Sequence, residues 1–66
     1  MIRVGDDIQI PWQAGMTVMD LLDRVPDGHD CAAVRVNGRI VARPHFARTA
    51  VPEGARVFLV PMIVGG

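Results

Sequence analysis

The last five residues read Met62-Ile63-Val64-Gly65-Gly66, and the group there with the most chemistry to offer is the carboxylate of Gly66. A glycine carboxylate has no side chain shielding it, and an extended Gly-Gly threads a channel that any Cβ would block. A carboxylate is inert until one oxygen becomes a good leaving group. The chemistry this tail suits is therefore adenylation by an ATP-using enzyme, followed by attack of a nucleophile on the acyl-adenylate. The chain would be the substrate and a partner would supply the active site. The competing reading is a frayed end without a role.

Other reactive residues form no comparable set. Cys31, the only cysteine, invites a nucleophile or persulfide role, but His29 is its only nearby candidate activator; an ordinary small residue is the better reading. His29 and His45 with one cysteine match no metal-ligand spacing, so no metal and no bound cofactor are expected. Asp6-Asp7, Asp20 with Asp23, and Asp27 with Asp30 read as turn, helix-cap and loop residues rather than paired catalytic carboxylates. Nothing here makes an autonomous enzyme.

Seven basic and seven acidic residues cancel, without a lysine or a run of arginines, so nucleic-acid binding gains no support. The longest apolar stretch, Val57 to Val64, is broken by Pro61 and falls well short of the roughly 20 residues of a membrane-spanning helix. The charged, alternating start Met1-Ile2-Arg3-Val4-Gly5-Asp6-Asp7 is unlike a signal peptide, so a cytoplasmic location is expected. The 66 residues leave room for one domain, 1–66 with its tail at 61–66. A domain this small hides only about 60% of its unfolded surface. With few aromatics, its core must come from Val, Ile and Leu.

The elements that would position the tail follow from hydrophobic period. Ile2, Val4, Ile8, Ile10 and Trp12 alternate around Gly5-Asp6-Asp7 as a first hairpin, with Pro11 placing its second strand at the sheet edge. Val18, Leu21, Leu22 and Val25 fall at helical spacing, with Thr17 as N-cap and Asp20 at the third helical position, and Pro26-Asp27-Gly28 ends a helix of about two and a half turns. Asp is shorter than the Glu of an ideal capping box, so the box should be imperfect. Ala32 to Val36, Asn37-Gly38 and Arg39 to Val41 read as a second hairpin. His45 to Ala50 shows no clean period, Pro52-Glu53-Gly54 turns the chain, and Arg56 to Val60 forms a last strand ended by Pro61.

Two hairpins flanking one crossing helix predict an α+β fold of the β-grasp type: a mixed sheet of four to five strands wrapped on a helix, with a flexible Gly-Gly tail. Alternation in the last strand turns Val57 and Leu59 inward and Phe58 and Val60 outward. Phe58, Val60, Met62, Ile63 and Val64 are thus candidates for a partner-binding surface beside the tail, with ordinary edge packing as the alternative.

Gly15-Met16-Thr17-Val18-Met19-Asp20-Leu21-Leu22, the hairpin Val34-Arg35-Val36-Asn37-Gly38-Arg39-Ile40-Val41-Ala42-Arg43 and the terminal Gly65-Gly66 together resemble the ThiS/MoaD family of ubiquitin-like sulfur carriers. The resemblance covers almost the whole chain. It implies that an E1-like adenylyltransferase of the ThiF/MoeB type adenylates Gly66 with ATP. A sulfur donor such as a persulfide-bearing sulfurtransferase then converts it to a thiocarboxylate, with Gly65 sharing the thin tail. The hairpin resembles the thiamine branch, whose carrier serves thiazole synthase. The end, Val57 to Val64 with Pro61, leans toward the molybdopterin branch, whose carrier is the small subunit of molybdopterin synthase. One departure stands out: the family commonly has Gly-Asp before the last strand, where this chain has Gly54-Ala55. A non-catalytic interaction module, or a carrier conjugated to proteins through an isopeptide bond, is compatible with the same residues.

Overall fold

The computed structural model describes residues 1–61, so Met62, Ile63, Val64, Gly65 and Gly66 lie outside the described residues. Alternation in the first segment produces β1 (Ile2–Val4) and β2 (Ile8–Ile10), antiparallel with Ile2 opposite Ile10 and Val4 opposite Ile8. Pro11 ends β2, an edge strand as expected, because proline has no N–H to donate to a further ladder bond. Trp12, half-buried just beyond it, donates its indole N–H to the Val51 carbonyl at 2.6 Å. That bond carries a polar atom into the rim of the core without leaving it unpaired.

The helix α1 (Val18–Leu22) starts at Thr17, and the capping box forms in full with Asp in place of Glu. The Asp20 amide donates to the Thr17 hydroxyl at 3.2 Å, and the Thr17 amide donates to the Asp20 carboxylate at 3.0 Å. The bond from the Thr17 amide, with the Thr17 hydroxyl adding to it, holds the Asp20 carboxyl below the usual carboxylate range. The helix is shorter than its hydrophobic spacing predicts. After Leu22 the amides of Arg24 and Val25 bond back only three residues, to Leu21 and Leu22, so the turn tightens before Pro26. Val25 still packs into the core, which explains why the apolar period runs past the helix. Gly28 is fixed by a close approach: a Cβ there would stand 2.5 Å from the Leu22 carbonyl oxygen.

The second hairpin follows the sequence. β3 (Cys31–Val36) and β4 (Arg39–Ala42) pair across Asn37-Gly38, with Val36 opposite Arg39 and Arg35 opposite Ile40. Both turn residues take positive φ, 50° at Asn37 and 87° at Gly38, which matches the right-handed twist of the strands they join. The segment without a period is a 3-10 helix (Arg43–Arg48) that buries Phe46 alone. A single anchor in a short tight helix leaves no repeat to detect. Beyond it, the Val18 amide bonds to the Thr49 carbonyl and the Val51 amide to the Met16 carbonyl, both at 2.9 Å, strapping the chain across the start of α1.

β5 (Arg56–Pro61) completes a mixed sheet in the order β2-β1-β5-β3-β4, the ubiquitin-like β-grasp anticipated above. β5 runs parallel to β1 and antiparallel to β3. Pro61 belongs to the strand and lies opposite Cys31, next to a register shift between Cys31 and Ala33. Pro61, expected at the start of the tail, is therefore a residue of the strand. Proline is tolerated there because a strand end beside a bulge needs no donor from it. Val, Ile and Leu dominate the core, with Phe46 its one fully buried aromatic.

Candidate functional site

The strand that leads to the tail is the central strand of the sheet. β1 and β3 flank it, and hydrogen bonds fix its beginning: the Arg3 amide to the Ala55 carbonyl at 3.0 Å and the Gly5 amide to the Val57 carbonyl at 2.8 Å. Asn37 adds a two-point clamp. Its backbone amide donates to the Arg56 carbonyl at 2.8 Å, and its side-chain oxygen accepts the Arg56 amide at 2.9 Å. Ala55, just before the strand, is almost completely buried and faces the core. A carboxylate would be costly there, and Ala fits.

Alternation along β5 sorts its side chains as predicted. Val57 is fully buried and Leu59 half-buried on the helix side, while Phe58 is 38% exposed on the other face. Val60 is half-buried. The Arg56 guanidinium lies over the Phe58 ring, 5.4 Å from its centroid. Such stacking is a cation–π contact that holds the guanidinium against the face of the ring. Ile40 on β4, 59% exposed and paired with Arg35, stands two strands from Phe58 on the same face. Phe58 and Val60 are thus brought together. Met62, Ile63, Val64, Gly65 and Gly66, the remaining predicted site residues, fall outside the described residues.

Cys31 stands at the start of β3, opposite Pro61 and therefore beside the root of the tail. Its thiol is buried and donates to the Gly28 carbonyl at 3.2 Å. Burial pushes its pKa up, which keeps it a thiol, so it is a packing residue and a poor nucleophile. His29 does not activate it. Its Nε2 instead meets the Asp23 carboxylate at 2.6 Å on the surface, and Arg43 donates to the His29 carbonyl at 3.3 Å. The three tie the loop after α1 to the start of the 3-10 helix at Arg43–Arg48.

Among the described residues no group of three or more His, Cys, Asp or Glu could hold a metal. A groove of about 620 Å³ between Trp12, Met16, Val41 and Val51 is lined without a carboxylate, histidine or cysteine. No helix among the described residues is long and apolar enough to cross a membrane. What the arrangement offers is a rigid strand leading to a terminal segment, with an exposed apolar side chain alongside it.

The sequence model of the ThiS family matches residues 2–66. The chain belongs to the ThiS family. It is 36% identical over 53 residues to the sulfur carrier protein ThiS of Escherichia coli (strain K12), an alignment covering 80% of each chain. No solved structure matches it. As a ThiS-family chain it pairs the β-grasp sheet with the two terminal glycines from which the sequence reading began.

Two features of the site escaped the sequence reading. The Arg56–Phe58 stack follows from alternation alone, since residues two apart share a face. Ile40 could likewise have been placed, because the Asn37-Gly38 turn fixes its pairing with Arg35. The neighbours of β5, which bring Ile40 and Phe58 to one surface, needed the topology.

Proposed function

We propose that this chain is a sulfur carrier whose Gly66 carboxylate is activated by an E1-like adenylyltransferase and converted to a thiocarboxylate, with sulfur delivered to thiazole synthase for the thiazole of thiamine. The observation that carries this reading is the ThiS-family match running through residue 66, which takes in Gly65-Gly66. The relative in Escherichia coli is named a sulfur carrier protein, which supports the same role.

The chemistry follows from the carboxylate. Its oxygen attacks the α-phosphorus of ATP and pyrophosphate leaves. A sulfur nucleophile then attacks the acyl carbon and AMP leaves. With hydrosulfide the product is the thiocarboxylate directly. With a persulfide-bearing sulfurtransferase the first product is an acyl disulfide, and a second thiol reduces its S–S bond to release the thiocarboxylate. ATP is consumed by the partner, and the carrier holds no cofactor of its own. Phe58 and Val60, continued by Met62, Ile63 and Val64, form the apolar approach by which partners receive the tail. The cytoplasm supplies both ATP and reducing thiols. The small subunit of molybdopterin synthase would use the same activation step; the family match favours the thiamine side.

The test is intact-protein mass spectrometry after incubation with ATP, the cognate adenylyltransferase and a sulfur donor. The expected product has one oxygen replaced by sulfur, localised to Gly66. Deleting Gly65 and Gly66 should abolish it while leaving thermal unfolding unchanged. A chain that stays a carboxylate throughout, and whose function survives that deletion, would instead be an interaction module.

A further inference from the structure

The inner face of the sheet is not covered along its whole length. α1 has five residues and spans about 7.5 Å, while β3 has six and spans about 20 Å. Beyond the start of the helix the sheet is left with an apolar groove of about 620 Å³, walled by Trp12, Met16, Val41 and Val51. The bond from the Trp12 indole to the Val51 carbonyl holds one wall in place. Arg39 lies opposite the buried Val36, so both side chains stand on the inner face and Arg39 forms the rim of the groove. Among the described residues Arg39 is the one charged residue of the lining, and it is in no ion pair.

We infer that this groove receives the segment Met62-Ile63-Val64-Gly65-Gly66 of a second copy of the chain, with Met62, Ile63 and Val64 against the apolar walls and the Gly66 carboxylate on Arg39. The match is one of chemistry. Three consecutive apolar residues followed by an anion meet an apolar wall followed by a lone cation, and no carboxylate in the lining repels the incoming end. Two glycines without side chains let the carboxylate come close to the guanidinium. The donor must be another copy. β5 runs from Val57, beside Val36 at the groove end, to Pro61, beside Cys31 at the other. The five residues after Pro61 reach at most about 18 Å. Turning back along β5 would consume about 13 Å of that before the Val36 end is met, which leaves too little to lay three side chains in the groove and reach Arg39. The root of the tail and the groove thus lie at opposite ends of the domain, so the contact is heterologous and copies join head to tail. That the segment ends in a free carboxylate, and that a docked tail is withheld from the adenylyltransferase, rest on the function proposed above.

The test is sedimentation velocity of the full chain over a concentration series, with the emission of Trp12, the chain's single tryptophan, read on the same samples. The parent should gain mass with concentration while its Trp12 emission shifts to the blue. Ala50→Glu places a carboxylate in the groove at an exposed position, and Ile63→Asp spoils the tail; each alone should stay monomeric. Mixed, the two should form pairs and nothing longer, because only one sound tail meets one sound groove. Arg39→Gln should weaken association about threefold to tenfold, the scale of one rim charge pair. Circular dichroism confirms that each variant is folded. A parent that stays monomeric at millimolar concentration, a mixture of the two variants that stays monomeric, or an Ala50→Glu chain that associates like the parent would each overturn the inference. So would a Trp12 emission that separates the parent from both variants at every concentration without a change in mass, which would put the chain's own tail in the groove. Acyl-adenylate formation at Gly66 by the cognate adenylyltransferase is read in parallel. Head-to-tail pairs of a chain that is never adenylated would sink the carrier reading and leave the groove contact intact; adenylation of a parent that is monomeric throughout would do the reverse.

Discussion

Val57 and Phe58 are adjacent on one strand and have opposite duties. Val57 is fully buried against the helix side of the sheet, while Phe58 points the other way with 38% of its surface in solvent. A central strand gives its two faces to different tasks, and the period of two separates them without compromise. The difference teaches that in so small a domain, the residues that hold the core and those left open to solvent need not compete. They share a backbone and divide the side chains.

That comparison is sharpest where its two sides are truncated in turn. Val57→Ala should cost about 2–3 kcal/mol, since it removes two buried methyls and leaves a void that a small core closes poorly. Each kcal/mol corresponds to roughly 4–8 °C of melting temperature in a domain of this size, so a thermal scan reads the effect directly. A variant that melts like the parent would mean that the inner face is not the seat of stability.

Thr17→Ala, at the other layer of the core, should cost about 1 kcal/mol by removing one half of the capping box. The other half gives it a pH signature. The Asp20 pKa is lowered in the folded chain, so its contribution is fully present above the ordinary carboxylate range and is lost as pH falls through the folded value. The gap between parent and Asp20→Asn melting temperatures should therefore narrow on acidification. A gap constant down to strongly acid pH would rule out the charge on Asp20 as the cause.

Phe58→Ala should move stability least, by no more than about 1 kcal/mol, the scale of one exposed cation–π contact and one cross-strand pair. Under the function proposed above, its larger effect would be on partner binding. A melting temperature as depressed as that of Val57→Ala would break the division between the faces.

Much of this architecture was legible because its signals are local. Asn37-Gly38 fixes the register of a hairpin residue by residue, and Thr17 with Asp20 marks a helix start at three-residue range. The helix ends earlier than its apolar spacing predicts because Val25 reaches the core through a tightened turn, and burial period alone cannot tell that from another α-helical turn. The helix at Arg43–Arg48 left only Phe46 as a trace. For the site, outward-facing Phe58 and Val60 were readable from alternation, while the meeting of Phe58 and Ile40 on one surface depends on β5 entering between β1 and β3. No local rule encodes that entry.

The place of β5 has a mechanical meaning as well. A load applied at the Pro61 end of this strand, along its axis, meets both of its neighbours. Because β1 and β3 both lie alongside it, that load falls on two rows of hydrogen bonds together, in shear, instead of peeling them open singly. The Asn37 clamp at the far end of the strand resists slippage of its start. The domain thus behaves as a stopper: its last strand can bear a load while the body stays whole.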